Sequence, residues 1–347
     1  MMLTEKEIFN QYEALKKTIA LVKLRADGVR TLAEERKPRA IVFTGCGSSF
    51  SLSCSFRTIA SMRLPLPVYA VAAGDLWLNA QRYQAMVRDA LILSVSRSGK
   101  TSELVKAYEA VKALNVNASF LSVVCCEDTP VEALSDVTLC MPWAFDSSVC
   151  QTRCVSNLYA AGAMLVGALA GDGSIMAGME RVAVLGDAYL KLADALARRL
   201  AKTPWENVVV LADGEIDGLA EEAALAFKEI SQLPSNYYHM LDVRHGPMVL
   251  IDEKTLVYVV LKSPACQYEM SLVKDIAAKG AQVVCYSNMP VKMPEEMESI
   301  TLGEDVGYVA GGLGLVALCQ LTSYHKSFEM GCNPDQPDGL RPWIEIV

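Results

Sequence analysis

The sequence predicts an α/β protein built from two parallel sheets, each covered by helices on both faces. Short apolar runs alternate with helical segments along the chain. The runs are continuous rather than strictly alternating, as expected for strands that are buried on both sides. The pattern also restarts after residue 172, and 347 residues are enough for two domains of about 150 residues each.

The first half begins with a helix and continues with strands and helices in alternation. Residues 4–36 are predicted to be helical, because apolar residues recur every three or four positions and no proline interrupts them. The predicted strands are 40–45, 68–72, 91–96, 118–126 and 136–141, and the predicted helices are about 49–62, 102–114 and 152–169.

The second half is a weak internal repeat of the first. A linking helix is predicted over about 179–202, strands over 208–214, 255–261 and 281–287, and helices over about 219–230 and 267–279. The apolar, glycine-rich stretch 308–321 is too short to span a bilayer, so it is predicted to be a buried helix. The predicted domains are an N-terminal helix (1–37), a first domain (38–172), a linking helix (173–205) and a second domain with a C-terminal tail (206–347).

Composition excludes several classes of protein. The net charge is −8 and no long basic run occurs, so the electrostatic footprint of a nucleic-acid-binding protein is missing. The 11 cysteines form no CxxC pair and no zinc-ligand spacing, which favours reduced thiols in the cytosol over disulfides or a metal site. The N-terminus is charged and amphipathic, unlike a signal peptide. A cytoplasmic protein with no membrane partner is expected.

The loop 96–101, Ser-Arg-Ser-Gly-Lys-Thr, is the strongest candidate for an anion site. It follows an apolar strand and opens a helix, so free N–H groups and the positive end of the helix dipole lie beside the hydroxyls of Ser96, Ser98 and Thr101. Arg97 and Gly99 complete the loop. The glycine spacing of a Walker loop is missing. The alternative interpretation is an ordinary helix capped by Ser or Thr.

Two further loops follow predicted strands and carry glycine or hydroxyl residues. The glycines in the turn after the first strand allow close backbone approach to a ligand. The third glycine of the dinucleotide-binding fingerprint is missing at the required spacing. The other loop, 147–153, joins the last strand of the first half to a helix, and a capped helix explains it equally well. The candidate residues in these loops are Gly47, Ser48, Ser49, Thr152 and Arg153.

A carboxylate and an imidazole in the second half could together transfer protons between carbon and oxygen. Glu229 lies on an otherwise apolar helix, and His245 follows in Arg-His-Gly-Pro. From spacing alone, a solvated helix face and an ordinary loop histidine remain the simpler interpretation.

Four segments in this order resemble the sugar isomerase (SIS) family. They are SRSGKT (96–101), KEIS (228–231), RHGP (244–247) and NPDQPDGL (333–340). Over about 38–347 the chain is similar to double-SIS proteins related to the isomerase half of glutamine–fructose-6-phosphate amidotransferase. The resemblance implies two SIS domains, each a five-stranded parallel sheet between helix layers, in a homodimer with shared active sites.

The resemblance also implies a role for each matched residue. A sugar phosphate would be held by Ser96, Ser98 and Thr101, supported by Ser49 and Thr152. Glu229 would move a proton between C1 and C2, His245 would assist ring opening and can enter the neighbouring subunit's site, and Glu222 matches a further acidic position. Neither metal nor cofactor is implied. The remaining expected substrate-site residues are Gly47, Ser48, Arg97, Gly99 and Arg153.

The chain departs from the amidotransferase at two lysines. Ala226 stands where one lysine precedes the base, and Pro342 falls where a C-terminal lysine reaches the sugar. With no glutaminase domain before residue 38, glutamine-dependent amination is not expected. The expected activity is that of a phosphosugar deaminase/isomerase or of a deglycase that cleaves fructosamine 6-phosphates. A simple aldose–ketose isomerase and a non-catalytic sugar-phosphate-binding regulator remain alternatives.

Overall fold

The two predicted sheets are present, and each contains five parallel strands. The structure is a computed structural model that describes residues 2–262, 266–289, 293, 297–344 and 346. The first sheet has the strand order β2-β1-β3-β4-β5 and the second the order β10-β9-β8-β6-β7. Every strand pair is parallel, which confirms the α/β fold with an N-terminal helix.

The first sheet follows the predicted strands closely. Its strands are β1 (Ala40–Gly45), β2 (Val68–Ala72), β3 (Ala90–Ser96), β4 (Ser119–Val124) and β5 (Val137–Cys140). Every residue of the three central strands β1, β3 and β4 is buried, whereas the edge strands are only partly covered. Continuous burial explains why these strands are apolar runs without alternation.

The helices of the first half include three short ones that the sequence did not predict. The helices are α1 (Leu3–Arg36), α2 (Ser48–Ser61), α3 (Ala73–Leu78), α4 (Ala80–Val87), α5 (Ser102–Ala113), α6 (Pro130–Ala133) and α7 (Arg153–Ala170). The three unpredicted helices are α3, α4 and α6. They have four to eight residues, too few for a 3.6-residue period to become visible.

The second half contains two strands that the sequence did not predict. Its elements are α8 (Gly173–Ala201), β6 (Asn207–Leu211), α9 (Asp217–Ile230), β7 (Ser235–Tyr238), β8 (Thr255–Leu261), α10 (Gln267–Ala277), β9 (Gln282–Ser287), β10 (Glu298–Thr301) and α11 (Tyr308–Glu329). The strands β7 and β10 were missed because they have four residues each, lie at the sheet edges and carry polar residues.

The linking helix α8 begins at Gly173, the start of the predicted linking segment 173–205, and earlier than the periodic stretch near Met179 indicated. Asp172 supports this start, because it accepts hydrogen bonds from the backbone N–H (2.9 Å) and the hydroxyl (2.5 Å) of Ser174. These bonds and the ion pair with Arg63 lower the pKa of Asp172 to about 2. The capping carboxylate therefore stays ionised at neutral pH and extends the helix by more than a turn.

The chain forms two compact units that do not follow the order of the sequence. One unit contains residues 1–12, 148–152 and 181–340, and the other contains 13–147, 153–180 and 341–347. The second sheet lies in the former and the first sheet in the latter. The domain boundaries inferred from the sequence stay a prediction about the organisation of the chain.

Two long apolar helices are core helices. The stretch 308–321 lies in α11, which is buried along nearly its whole length, as predicted. Among the described residues, α7 alone is long and apolar enough to cross a membrane, and 78% of it is buried inside the protein. Burial accounts for its apolar composition without a bilayer, and the cytoplasmic location stays a prediction.

Close packing of α7 on α2 predicts opposite effects for two glycine substitutions. A Cβ at Gly162 would lie 2.3 Å from the ring of Phe56, whereas a Cβ at Gly28 on α1 would meet nothing within 4 Å. Gly162→Ala is therefore expected to lower the free energy of unfolding by about 1–3 kcal/mol through overpacking. Gly28→Ala, the matched control, is expected to raise it by about 0.5–1 kcal/mol. Urea unfolding measures both, and equal effects of the two substitutions would contradict the packing.

Candidate functional site

The loop 96–101 owes its shape to its own hydroxyls and to one glycine. The Ser96 Oγ accepts a hydrogen bond from the Gly99 N–H (3.0 Å), and the Ser98 Oγ accepts one from the Lys100 N–H (3.2 Å). Gly99 has a φ of 59°, and a Cβ there would lie 2.6 Å from the Oγ1 of Thr129. Because both serine oxygens act as acceptors here, their hydroxyl hydrogens can still be donated to an anion.

Thr101 occupies the N-cap position of α5, yet its hydroxyl makes no capping bond to the helix. The helix therefore begins without a side-chain cap from Thr101, and the role of this hydroxyl in anion binding stays a prediction. A half-buried hydroxyl beside the positive end of a 12-residue helix is suited to an anionic ligand.

The turn 45–49 lies at the same edge of the sheet. Strands β1 and β3 pair in parallel, with Thr44 opposite Ser94, so both loops emerge side by side. Gly47 has a φ of 52° and directly precedes α2, whose first residues Ser48 and Ser49 are buried. These hydroxyls and those of loop 96–101 are carried by neighbouring strand ends.

Cys46 in this turn does not have the properties of a nucleophile. Burial, with a contribution from the charge of Glu103, raises the pKa of the Cys46 thiol to about 12. The thiol is therefore protonated at neutral pH, and the thiolate is the reactive form. What the turn offers a ligand is backbone and hydroxyl groups.

Arg97 and the start of α5 contact the C-terminal tail. The buried Arg97 guanidinium donates to the carbonyl of Pro342. The Ser102 N–H donates to the carbonyl of Ile344 (3.2 Å), and the Ile346 N–H donates to the Ser102 Oγ (3.0 Å). The tail thus lies directly against the hydroxyl-rich loop. Pro342 meets this loop through its backbone carbonyl.

Arg153 is held by a buried carboxylate that the sequence analysis missed. The Nε of Arg153 lies 3.4 Å from the Oδ1 of Asp146, and its guanidinium also donates to the Phe145 carbonyl. The other Asp146 oxygen accepts from the Cys154 N–H (2.8 Å), so this carboxylate satisfies the first turn of α7. One acidic residue between an aromatic residue and two serines was the only signal in the sequence.

Thr152 belongs to the other compact unit, with Glu222, Glu229 and His245. It is completely buried, and its carbonyl accepts from the Gln320 Nε2 (3.1 Å). The predicted site residues therefore fall in two groups. Ser96, Ser98, Thr101, Ser49, Gly47, Ser48, Arg97, Gly99 and Arg153 lie in the unit of the first sheet, and the others lie in the unit of the second sheet.

Two carboxylates lie on α9, seven residues apart. A rise of about 1.5 Å per residue separates them by about 10 Å along the helix, on nearly the same face. Glu222 is 2% exposed and Glu229 is half-buried. Between them Ala226 packs against Cys150 and Ile230 in a small apolar cluster. Glu229 therefore lies at the border of a packed surface rather than on a fully solvated face.

His245 lies on an exposed loop. It ends a short 3-10 helix, Asp242–His245, and Gly246 with a φ of 144° turns the chain immediately afterwards. Its neighbour Arg244 forms an ion pair with Asp275, which ties the loop to α10. The His245 ring makes no hydrogen bond in the described part of the chain, so its role stays a prediction.

Metal-ligand clusters are absent from the described ranges, which run from residue 2 to residue 346 and lack 263–265, 290–292, 294–296 and 345. No group of three or more His, Cys, Asp or Glu side chains that could hold a metal ion occurs there.

The model of the SIS domain matches residues 36–168, which contain the whole first sheet, and residues 203–292, which contain β6 to β9 of the second sheet. The chain belongs to the SIS domain family. It is 26% identical over 347 residues to the glutamine–fructose-6-phosphate aminotransferase of Methanothermobacter thermautotrophicus, covering 98% of this chain and 57% of that protein. The chain thus spans little more than half the length of this relative.

Two solved structures share the fold over nearly the whole chain. A tagatose-6-phosphate ketose/aldose isomerase from Escherichia coli superposes with a TM-score of 0.85 at 22% identity, covering 100% of this chain and 96% of its own. A glucosamine-6-phosphate deaminase from Thermotoga maritima superposes with a TM-score of 0.76 at 24% identity, covering 99% of this chain and 100% of its own. The double-SIS architecture is confirmed.

The uncapped start of α5 predicts that the Thr101 hydroxyl can be removed without a loss of stability. Thr101→Val is expected to leave the free energy of unfolding nearly unchanged and to weaken phosphate binding about 10-fold, through loss of one charge-assisted hydrogen bond. Thr129→Val is the matched control, because the Thr129 hydroxyl does cap a helix, α6. That change is expected to cost about 1 kcal/mol of stability. Chemical unfolding and calorimetric titration with glucitol 6-phosphate measure the two effects; destabilisation by Thr101→Val would contradict the assignment.

Proposed function

We propose that the protein is a phosphosugar deaminase/isomerase or a fructosamine-6-phosphate deglycase that acts by proton transfer between C1 and C2. The observation that carries this proposal is the hydroxyl-rich loop Ser96–Thr101 at the start of an uncapped helix. Membership of the SIS family and the half-buried carboxylate of Glu229 at the family's base position support the proton-transfer step.

In the proposed reaction the phosphate binds the protein but takes no part in the chemical step. The loop 96–101 and the turn 45–49 offer hydroxyl and N–H donors at adjacent strand ends, so a phosphate can be bound without a global positive field. Binding energy from this remote group can orient the reacting end of the sugar, which raises the rate of the chemical step.

The proton transfer can be written for both substrate types. On a 2-amino aldose 6-phosphate, Glu229 takes the proton from C2 and an enolamine forms. Return of the proton to C1 gives an imine at C2, which water hydrolyses to a ketose phosphate and ammonia. On a fructosamine 6-phosphate the proton moves from C1 to C2, and the imine at C1 releases the amine and an aldose phosphate. One proton is moved and one water is consumed in each case.

Glutamine-dependent synthesis of an amino sugar is not part of the proposal. Ala226 and Pro342 stand where the amidotransferase site has two lysines. The groups that remain, Glu229, His245 and the phosphate loop, are sufficient for an enolamine route that ends in hydrolysis.

Simple aldose–ketose isomerisation is the second candidate function. The close superposition with the E. coli tagatose-6-phosphate ketose/aldose isomerase favours it. A panel of sugar phosphates, amino-sugar phosphates and fructosamine 6-phosphates, assayed for free amine and for hexose phosphate, separates the candidates, since isomerisation releases no amine. Tight binding of panel members without any product would identify a sugar-phosphate-binding regulator.

Replacement of Glu229 tests the base. Glu229→Gln keeps the size of the side chain and removes its ability to accept a proton. Turnover is expected to fall by about 100-fold or more, while the affinity for glucitol 6-phosphate stays within about twofold of the native value. Lys228→Gln on the adjacent, exposed position is the control and should retain activity. Normal turnover by Glu229→Gln would show that another group is the base.

We also propose that the protein forms a homodimer through the loop that carries His245. Two large apolar side chains follow the histidine and are solvent-exposed in the isolated chain: Val249 is 80% exposed and Leu250 is 70% exposed. Exposed apolar residues clustered on one loop are typical of a protein interface. In such a dimer His245 would reach the active site of the neighbouring subunit.

Mixing inactive variants tests the shared site. Glu229→Gln and His245→Asn are each expected to be nearly inactive. If each site takes its histidine from the partner, a heterodimer holds one intact site, so an equimolar mixture after subunit exchange should recover about a quarter of native turnover. Light scattering gives the oligomeric state. A monomer, or a dimer whose mixture stays inactive, would contradict the proposal.

A further inference from the structure

The carboxylate of Glu7 on α1 makes a contact that the proposed reaction does not explain. Glu7 is only 4% exposed. One of its oxygens accepts from the Ser148 N–H (3.2 Å), and the other accepts from the Ser148 hydroxyl. Ser148 is itself 1% exposed, and its Oγ lies 2.9 Å from the carbonyl oxygen of Cys150. Hydrogen bonds donated to a buried carboxylate are among the stronger ones in proteins, so they can fix the backbone at Ser148.

A second acidic residue anchors the same segment from the C-terminal side. The Asp335 carboxylate accepts from the N–H groups of Leu3 (2.9 Å) and Thr4 (2.8 Å), in the first turn of α1. The Asp335 carbonyl accepts from the Val149 N–H (3.0 Å). Segment 148–152 is thus joined to α1 directly through Glu7 and, through Asp335, to the motif 333–340. The motif 333–340 therefore has a structural role, because its Asp335 connects the first turn of α1 to segment 148–152.

The anchored segment leads directly to the helix of the proposed base. Cys150 packs against Ala226 and Ile230, which lie three residues before and one residue after Glu229 on α9. Two positions further along, the Thr152 carbonyl is held by Gln320. A displacement of the segment would therefore remove the support of α9 at the turn that carries Glu229.

We propose that Glu7 is a positioning residue for Glu229, acting through Ser148 and Cys150. Glu7 touches neither the sugar nor the reacting atoms. It holds segment 148–152 in the one place where Cys150 fills the space beside Ala226 and Ile230. This inference rests on the proposed function, because it assigns Glu229 as the group that is positioned.

The expected effect is on turnover more than on substrate affinity. A misplacement of about 1 Å at the reacting centre can cost about 100-fold in rate. The phosphate loop belongs to the other compact unit, so its donors do not depend on this contact for their local hydrogen bonds. Glu7→Gln is therefore expected to lower kcat by about 10- to 100-fold and to change KM by less than about threefold.

A double-mutant cycle separates positioning from general stability. Glu7→Gln, Ser148→Ala and the double variant are compared at a temperature where circular dichroism shows all to be folded. Because both substitutions break the same contact, the double variant should lose no more kcat than the worse single variant. Glu13→Gln is the control, since Glu13 is an exposed residue of the same helix and forms an ion pair with Lys16. A lower Tm with native kcat, or additive losses in kcat, would overturn the proposal.

Hydrogen exchange provides a readout that needs no substrate. In Glu7→Gln the backbone amides of 148–152 are expected to exchange about 10-fold faster or more, while those of α5 keep their native rates. Unchanged protection of 148–152 would overturn the positioning role even if Glu229 proves to be the base. Faster exchange together with full activity of Glu229→Gln would instead retain the anchor and refute the assignment of the base.

Discussion

Parallel pairing of β1 with β3 is the constraint on which the candidate anion site depends. It brings the carboxyl ends of both strands to one edge of the sheet, so the turn 45–49 and the loop 96–101 emerge together. An antiparallel arrangement would send the two loops to opposite edges. Every residue in both strands is buried, so a change of this pairing would be costly. The hydroxyl and N–H donors of the turn 45–49 and the loop 96–101 are therefore attached to a rigid part of the sheet.

Much of the fold could be predicted because its signals are local. Continuous apolar runs of six or seven residues identify the central strands β1, β3 and β8, and glycines mark the turns after β1 and β3. The edge strand β10, Glu-Ser-Ile-Thr, is short and polar, and its pairing with β9 is decided by tertiary context rather than by its own pattern. The early start of α8 depends on the Asp172 cap, which apolar periodicity does not reveal.

The candidate site also contains residues that could be predicted from local sequence signals and residues that could not. Loop 96–101 could be identified from hydroxyls placed between a strand and a helix, whereas Glu229 and His245 stand out only through the resemblance to the SIS family. The structural roles of Asp146, Glu7 and Asp335 could not be predicted, because their partners are remote in sequence or are backbone groups. Glu7 and Ser148, for example, are 141 positions apart. Single-sequence patterns carry no information on such pairs, and a buried carboxylate looks the same in sequence as a solvated one.

The cap of α1 by Asp335 has a consequence for how the chain acquires its structure during synthesis. The Asp335 carboxylate lies 332 and 331 positions from the N–H groups of Leu3 and Thr4 that it caps, and the compact unit that contains them draws on residues 1–12 as well as 181–340. A ribosome adds about 5–20 residues per second, so the first turn of α1 waits on the order of 20 s or more before its acceptor exists. During that interval the start of the helix has to be satisfied by water, and the unit can close only after translation has passed residue 335.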